Sequence, residues 1–170
     1  ERVLSKLVPG GFNHYEQSLR IVDVLENDRQ GLNLTWEVRD GIARHSKGKS
    51  GLPVGAPPEH RASTIEGQVA RVADIIAYVN HDFDDAVRAG LLTPEQMPKG
   101  LAEALGRTSS QRIGRMVSDV VHETLAGGLT EIRMSEAVLQ ATLELRSFLF
   151  ASVYENEVAT SEFSKAEGIL

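Results

Sequence analysis

Between positions 65 and 87 the apolar residues Ile65, Val69, Val72, Ile76, Val79, Phe83 and Val87 recur at intervals of three and four, with no proline among them. At 100° per residue they fall within about 80° of each other, so the segment can bury one side only as an α-helix of about six turns. Ser63 followed three residues later by Glu66 predicts a capping box at its start, and Gly90 predicts its stop. A helix that long needs neighbours over its apolar side. The same spacing supplies them: a short opening helix ended by Pro9-Gly10-Gly11, a helix over about 13–27, a connector at 31–34, and a helix over about 36–45 with Thr35 as N-cap. A short turn or helix begins at Thr93-Pro94, and further helices cover about 109–126, 135–156 and 161 to the end. Two-residue alternation is rare. The expectation is an all-α fold, a multi-helix bundle, with residues 1–170 as a single helical domain. Residues 46–62, rich in glycine and proline, read as an exposed, flexible loop.

Charge and composition exclude several functions. With 24 acidic against 18 basic residues and a net charge of -6, stable duplex-DNA binding is not expected. A local pocket built from a few arginines stays compatible with that balance. The absence of cysteine removes disulfides, zinc fingers and thiol catalysis and fits a cytoplasmic location. No apolar run approaches the ~20 residues of a membrane span, and no secretory signal opens the sequence, so no membrane partner is expected. The chain opens at Glu1 without Met and stops inside another helical pattern, which reads as a piece of something larger.

Opposite the apolar side of the 65–87 helix, Arg71, Asp74, Tyr78, His81, Asp82 and Asp85 gather within about 100°. Asp74, Tyr78 and Asp82 are spaced four apart and stack along one edge. Any surface helix shows a polar side, and on spacing and composition alone a solvated face is the leading reading. His81 among aspartates is equally a surface ion-pair partner of small energetic weight.

The strings themselves add a resemblance. EGQVARVADIIAYVNHDFDD (66–85), GGFNHYEQSLRIV (10–22) and GLNLTWEVRDGI (31–42) resemble, in this order, segments of bacterial dGTPase-like proteins, deoxynucleoside triphosphate triphosphohydrolases of the HD-domain superfamily. The resemblance implies an HD-type bundle that hydrolyses dNTP to deoxynucleoside and triphosphate. It implies a divalent ion, Mg²⁺, Mn²⁺ or another first-row metal, held by a His, a His-Asp dyad and a distant Asp, the last matched by Asp74. Tyr78 matches a tyrosine packed on the deoxyribose, and Asp82 an aspartate bonding the 3′-hydroxyl. His14 matches a histidine that protonates or stabilises the departing triphosphate; without the resemblance, a helix-start histidine bonding backbone is equally good. Glu1 matches the end of a Gly-His-x-Gly-Glu motif and would orient the catalytic histidine or water.

For the phosphates, Arg107, Arg112 and Arg115 lie near the start of the 109–126 helix, where amide N–H groups also favour anions; each reads equally as a solvated arginine. His45 and His60 flank the loop and receive no role, and His122 reads as structural. The apolar 135–156 helix suits a core or a subunit interface, and the resemblance implies a homo-oligomer.

One part of the pattern is missing. No His-Asp dyad with a second upstream histidine occurs, and His81-Asp82 follows Asp74 instead of preceding it. The dyad is expected before Glu1, and this segment alone is expected to be inactive and metal-poor. Two alternatives stand beside the triphosphohydrolase: another HD-type nucleotide phosphohydrolase, and a non-catalytic helical interaction module.

Overall fold

The computed structural model describes residues 2–45, 54, 57, 60–154 and 168. Its helices are α1 (Arg2–Leu7), α2 (His14–Arg20), α3 (Trp36–Arg44), α4 (Ile65–Arg88), α5 (Lys99–Leu105), α6 (Ser109–Ala126) and α7 (Glu136–Leu149). Short 3₁₀ and π-helical turns join or extend them at Pro94–Gln96, Ile21–Leu25 and Phe150–Tyr154. Among the described residues there is no strand, and the fold is all-α. No described helix is long and apolar enough to cross a membrane. The helix expected from 161 onward and most of the 46–62 loop lie outside the described residues.

Several boundaries moved for local reasons. The helix expected to 27 ends earlier: α2 passes into the Ile21–Leu25 π turn, and Asn27, Asp28 and Arg29 then take positive φ of 55°, 54° and 67°. Left-handed backbone costs an L-residue about 1–2 kcal/mol, and no glycine or proline marks the site in the sequence. Helix α4 starts at Ile65, one residue later than the Ser63 box implied. Thr64 Oγ1 accepts the Gly67 N–H, while the Ser63 N–H donates to Asp40. Thr35 precedes α3 as expected, but its side chain does not cap the helix. Instead its hydroxyl bonds Glu37, and this bond, together with the larger effect of backbone N–H donation, lowers the Glu37 pKa. Gly90 does stop α4: at φ 71° it allows its own N–H and that of Leu91 to reach back to Val87 and Ala86.

The chain forms two compact units whose boundary falls inside α4, between Arg71 and Val72. In the first, α2 packs on α3. Arg39 clamps Asp23 with two bonds of 2.8 Å, and Asp40 accepts the Ser63 N–H at 2.8 Å and the Arg44 guanidinium. Helix α3 meets the first turn of α4 glycine to glycine; a Cβ on Gly67 would lie 2.7 Å from the Ala62 Cβ and 3.2 Å from the Gly41 Cα.

The second unit holds an aliphatic core: Val72, Ile76, Val79 and Phe83 of α4 with Leu101 and Leu105 of α5, Met116 of α6, and Val138, Leu145 and Leu149 of α7. At Thr108 and Gln111 a reciprocal capping box starts α6. The buried Asp119 carboxylate takes the N–H and hydroxyl of Ser135, the residue that caps α7.

Candidate functional site

Helix α4 buries different sides in its two parts. From Val72 onward the apolar side is covered, as the sequence implied. In its first turns the buried residues are instead Gly67 and Arg71, while Val69 is 47% exposed. Arg71 had been placed on the polar side; there it is buried all the same, donating to the His60 carbonyl at 2.9 Å, and desolvation lowers its pKa.

Asp74, Tyr78 and Asp82 follow on this side of the helix. Their spacing keeps them in line, as expected, with Tyr78 and Asp82 half-buried and Asp74 exposed. His81 and Asp85 are exposed, and Asp85 pairs with Arg88. Among the described residues no three His, Asp or Glu side chains gather where a metal ion could be held. The described residues therefore do not make a metal site by themselves, and Asp74 offers one carboxylate. A solvated helix face shows the same exposure.

His14 is the first residue of α2, in the first unit. Its carbonyl accepts the Ser18 hydroxyl, four residues on, at 2.9 Å. The half-buried imidazole stands edge-to-face with Tyr15 at 6.0 Å and with His45 at 5.3 Å between centroids. His45 in turn lines a pocket of 740 Å³ with Val22, Val38, Ile42, Gly67 and Ala70. That volume is within the range of small-molecule sites. Glu1 lies outside the described residues.

The three arginines part company. Arg107 and Arg115 are exposed and line one recess of 560 Å³ beside the start of α6. Arg112 is 1% exposed and committed to the core of the second unit. Its guanidinium donates to Asn80 Oδ1 at 2.8 Å, to Asp84 at 2.7 Å and to the Arg107 carbonyl at 3.2 Å, and it lies 4.8 Å above the Phe83 ring. The expectation that it faces a phosphate meets a buried residue with three of its five N–H donors already used; the cause is Asn80, fully buried on the same helix as Asp84, which needs a donor. A polar residue at the border of the apolar arc of α4 was the visible signal for this network. The His14–His45 contact had none, because it is made between helices.

Compared with known proteins, the chain is 48% identical over all of its 170 residues to a protein of Caldanaerobacter subterraneus subsp. tengcongensis named "Deoxyguanosinetriphosphate triphosphohydrolase-like protein". A protein of the same name from Desulfatibacillum aliphaticivorans is 47% identical over the whole chain, and one from Bordetella pertussis 33% over 95% of it. The chain spans about half the length of these relatives, 46%, 48% and 52% respectively. No protein-family model matches it.

Proposed function

From a chain homologous along its whole length to deoxyguanosinetriphosphate triphosphohydrolase-like proteins, we propose that the intact protein hydrolyses deoxynucleoside triphosphates to deoxynucleoside and inorganic triphosphate. What supports this reading most is identity of 43–48% over the full chain to five proteins that all carry that name. The in-line edge of α4 is compatible with it.

In the reaction, water adds to the α-phosphorus and the bond from that phosphorus to O5′ breaks. The attacking water gives up a proton and the departing O5′ takes one up to become the deoxynucleoside hydroxyl; His14 is assigned to proton donation as the products separate. Tyr78 is assigned to the face of the deoxyribose, where a ring packed close against the sugar discriminates against a 2′-hydroxyl, and Asp82 to the 3′-hydroxyl as hydrogen-bond acceptor. Arg107 and Arg115, the exposed pair, are assigned to the triphosphate ahead of Arg112. Asp74 would contribute one carboxylate to a divalent ion, Mg²⁺, Mn²⁺ or another first-row metal, with its other ligands outside the described residues. Such an ion polarises a phosphoryl oxygen and lowers the pKa of bound water. Glu1 is assigned to orienting the water or the catalytic histidine, and the protein is proposed to act in the cytoplasm as a homo-oligomer.

Product analysis on the intact protein tests the proposal. A panel of dNTPs, rNTPs, nucleoside monophosphates and cyclic nucleotides, each with Mg²⁺ and with Mn²⁺, should yield triphosphate and free deoxynucleoside from at least one dNTP. Release of orthophosphate or pyrophosphate instead, or cleavage confined to monophosphates or cyclic nucleotides, would point to another HD-type phosphohydrolase. No turnover of any member would leave the helical interaction module, the reading that the exposed Asp74 favours.

A further inference from the structure

We propose that His45 is a positioning residue for His14, holding the imidazole of His14 in its working orientation; the catalytic side of this rests on the reading just given. His45 closes α3, where the last carbonyls of a helix lack intrahelical partners. One of these, the carbonyl of Ile42, lies within hydrogen-bonding distance of His45 Nδ1. A carbonyl only accepts, so the proton is on Nδ1 and the bond fixes both tautomer and ring plane. The ring so held stands at 78° to the His14 ring, 5.3 Å away between centroids, and Tyr15 stands at 80° to it at 6.0 Å. An edge-to-face pair of this separation is a preferred aromatic geometry.

The backbone holds the donor side of this arrangement firmly. Gly41 and Gly67 bring α3 and the start of α4 into backbone contact, and Asp40 ties α3 to the Ser63 N–H. The last turn of α3, which carries His45, is thereby set before any ligand arrives. His45 itself also lines the 740 Å³ pocket.

The test compares His45→Ala with His45→Phe in the intact protein. Phenylalanine keeps an aromatic ring beside His14 and gives up the bond to Ile42. NMR of the histidine rings reads the positioning without any substrate. The His14 Cε1–H and Cδ2–H resonances should move in His45→Ala and return only part of the way in His45→Phe, which restores a ring without its anchor to Ile42. Unmoved His14 resonances in His45→Ala, in a variant whose other signals show it folded, overturn the proposal whether or not the protein hydrolyses dNTPs. In turnover, kcat should fall about tenfold in His45→Ala with KM nearly constant, since a disoriented proton donor slows chemistry more than binding, and His45→Phe should recover part of it. Wild-type kcat in a folded His45→Ala also overturns it. Absence of hydrolysis by the wild type counts against the function proposed above, and the ring resonances then decide the positioning alone.

Discussion

The two units of this chain are built on opposite terms. Among the described residues, the buried aliphatic, phenylalanine and methionine side chains belong to the second unit, and Ala62 is the buried apolar residue of the first. The first unit instead exposes Ile21, Val24, Leu25, Leu32, Val38 and Trp36, the tryptophan by 62%. It is organised by backbone proximity at Gly41 and Gly67 and by polar clamps: Asp23 with Arg39, and Asp40 with Arg44 and Ser63. Burial of apolar surface contributes about 25 cal/mol per Å², whereas exposed ion pairs contribute about 0–1 kcal/mol. The larger share of this chain's apolar stabilisation is therefore expected in the second unit, while the first leaves several large apolar side chains exposed.

The largest effect should come from breaking the polar centre of the stronger unit. Arg112→Ala leaves the buried Asn80 carbonyl and the one-third exposed Asp84 without their donor. It should cost about 3 kcal/mol, read as an earlier denaturation midpoint of the second unit. A near-normal midpoint with weakened nucleotide binding would return Arg112 to the phosphate role.

Hydrogen exchange on the 170-residue chain sharpens the contrast directly. Amides of α3, such as Ile42, should exchange about 100-fold faster than those of Val79 and Leu145, a difference of about 2.8 kcal/mol in opening free energy. Equal protection would mean that the first unit is stabilised by something other than its own core.

Adding a side chain at the glycine contact should be next in size. Gly67→Val forces a Cβ against Ala62 and the Gly41 backbone, at a cost of about 2 kcal/mol to the first unit. Thermal melting followed by exchange at α3 amides would show it, with α7 amides unchanged.

The smallest effect is pH-dependent. Burial pushes the Asp40 pKa up, but the Ser63 N–H and the Arg44 guanidinium outweigh it, and the net shift is downward. A depressed carboxylate contributes its stability above its unfolded value and loses it as pH falls through the folded one. The first unit should thus loosen only in acid, as pH falls through and below the usual carboxylate range, and Asp40→Ala should remove about 1 kcal/mol at neutral pH and flatten that acid transition. An acid transition unchanged in Asp40→Ala would assign it to other carboxylates.

The same contrast explains what could be read from the sequence. Where the second unit's apolar stripe is buried, periodicity carried the fold: α4 and α6 closely follow their expected positions because such a stripe writes a 3.6-residue period, while α7 stops at Leu149 and passes into the Phe150–Tyr154 π turn, short of the expected 156. In the first, where little is buried, local details decide. The left-handed run at 27–29 and the handover of the α4 cap from Ser63 to Thr64 depend on contacts that spacing does not encode. The candidate site divides likewise. Asp74, Tyr78 and Asp82 share an edge because helical geometry requires it. Arg112 looked like its neighbours Arg107 and Arg115 until Asn80, Asp84 and Phe83 were seen around it. His45 was silent in the sequence, since only the tertiary approach of α3 to α2 brings it to His14.

The central claim is that one exposed carboxylate at the middle of α4 works on a nucleotide and not merely in water. Metal content and triphosphate release measured together on intact wild type and on Asp74→Ala test it most directly. The account predicts loss of bound divalent metal and a fall in dNTP hydrolysis on the order of 100-fold or more, with the denaturation midpoint unchanged because the side chain is solvent-exposed. Unaltered metal content and unaltered hydrolysis in Asp74→Ala would contradict it and leave α4 with a solvated edge.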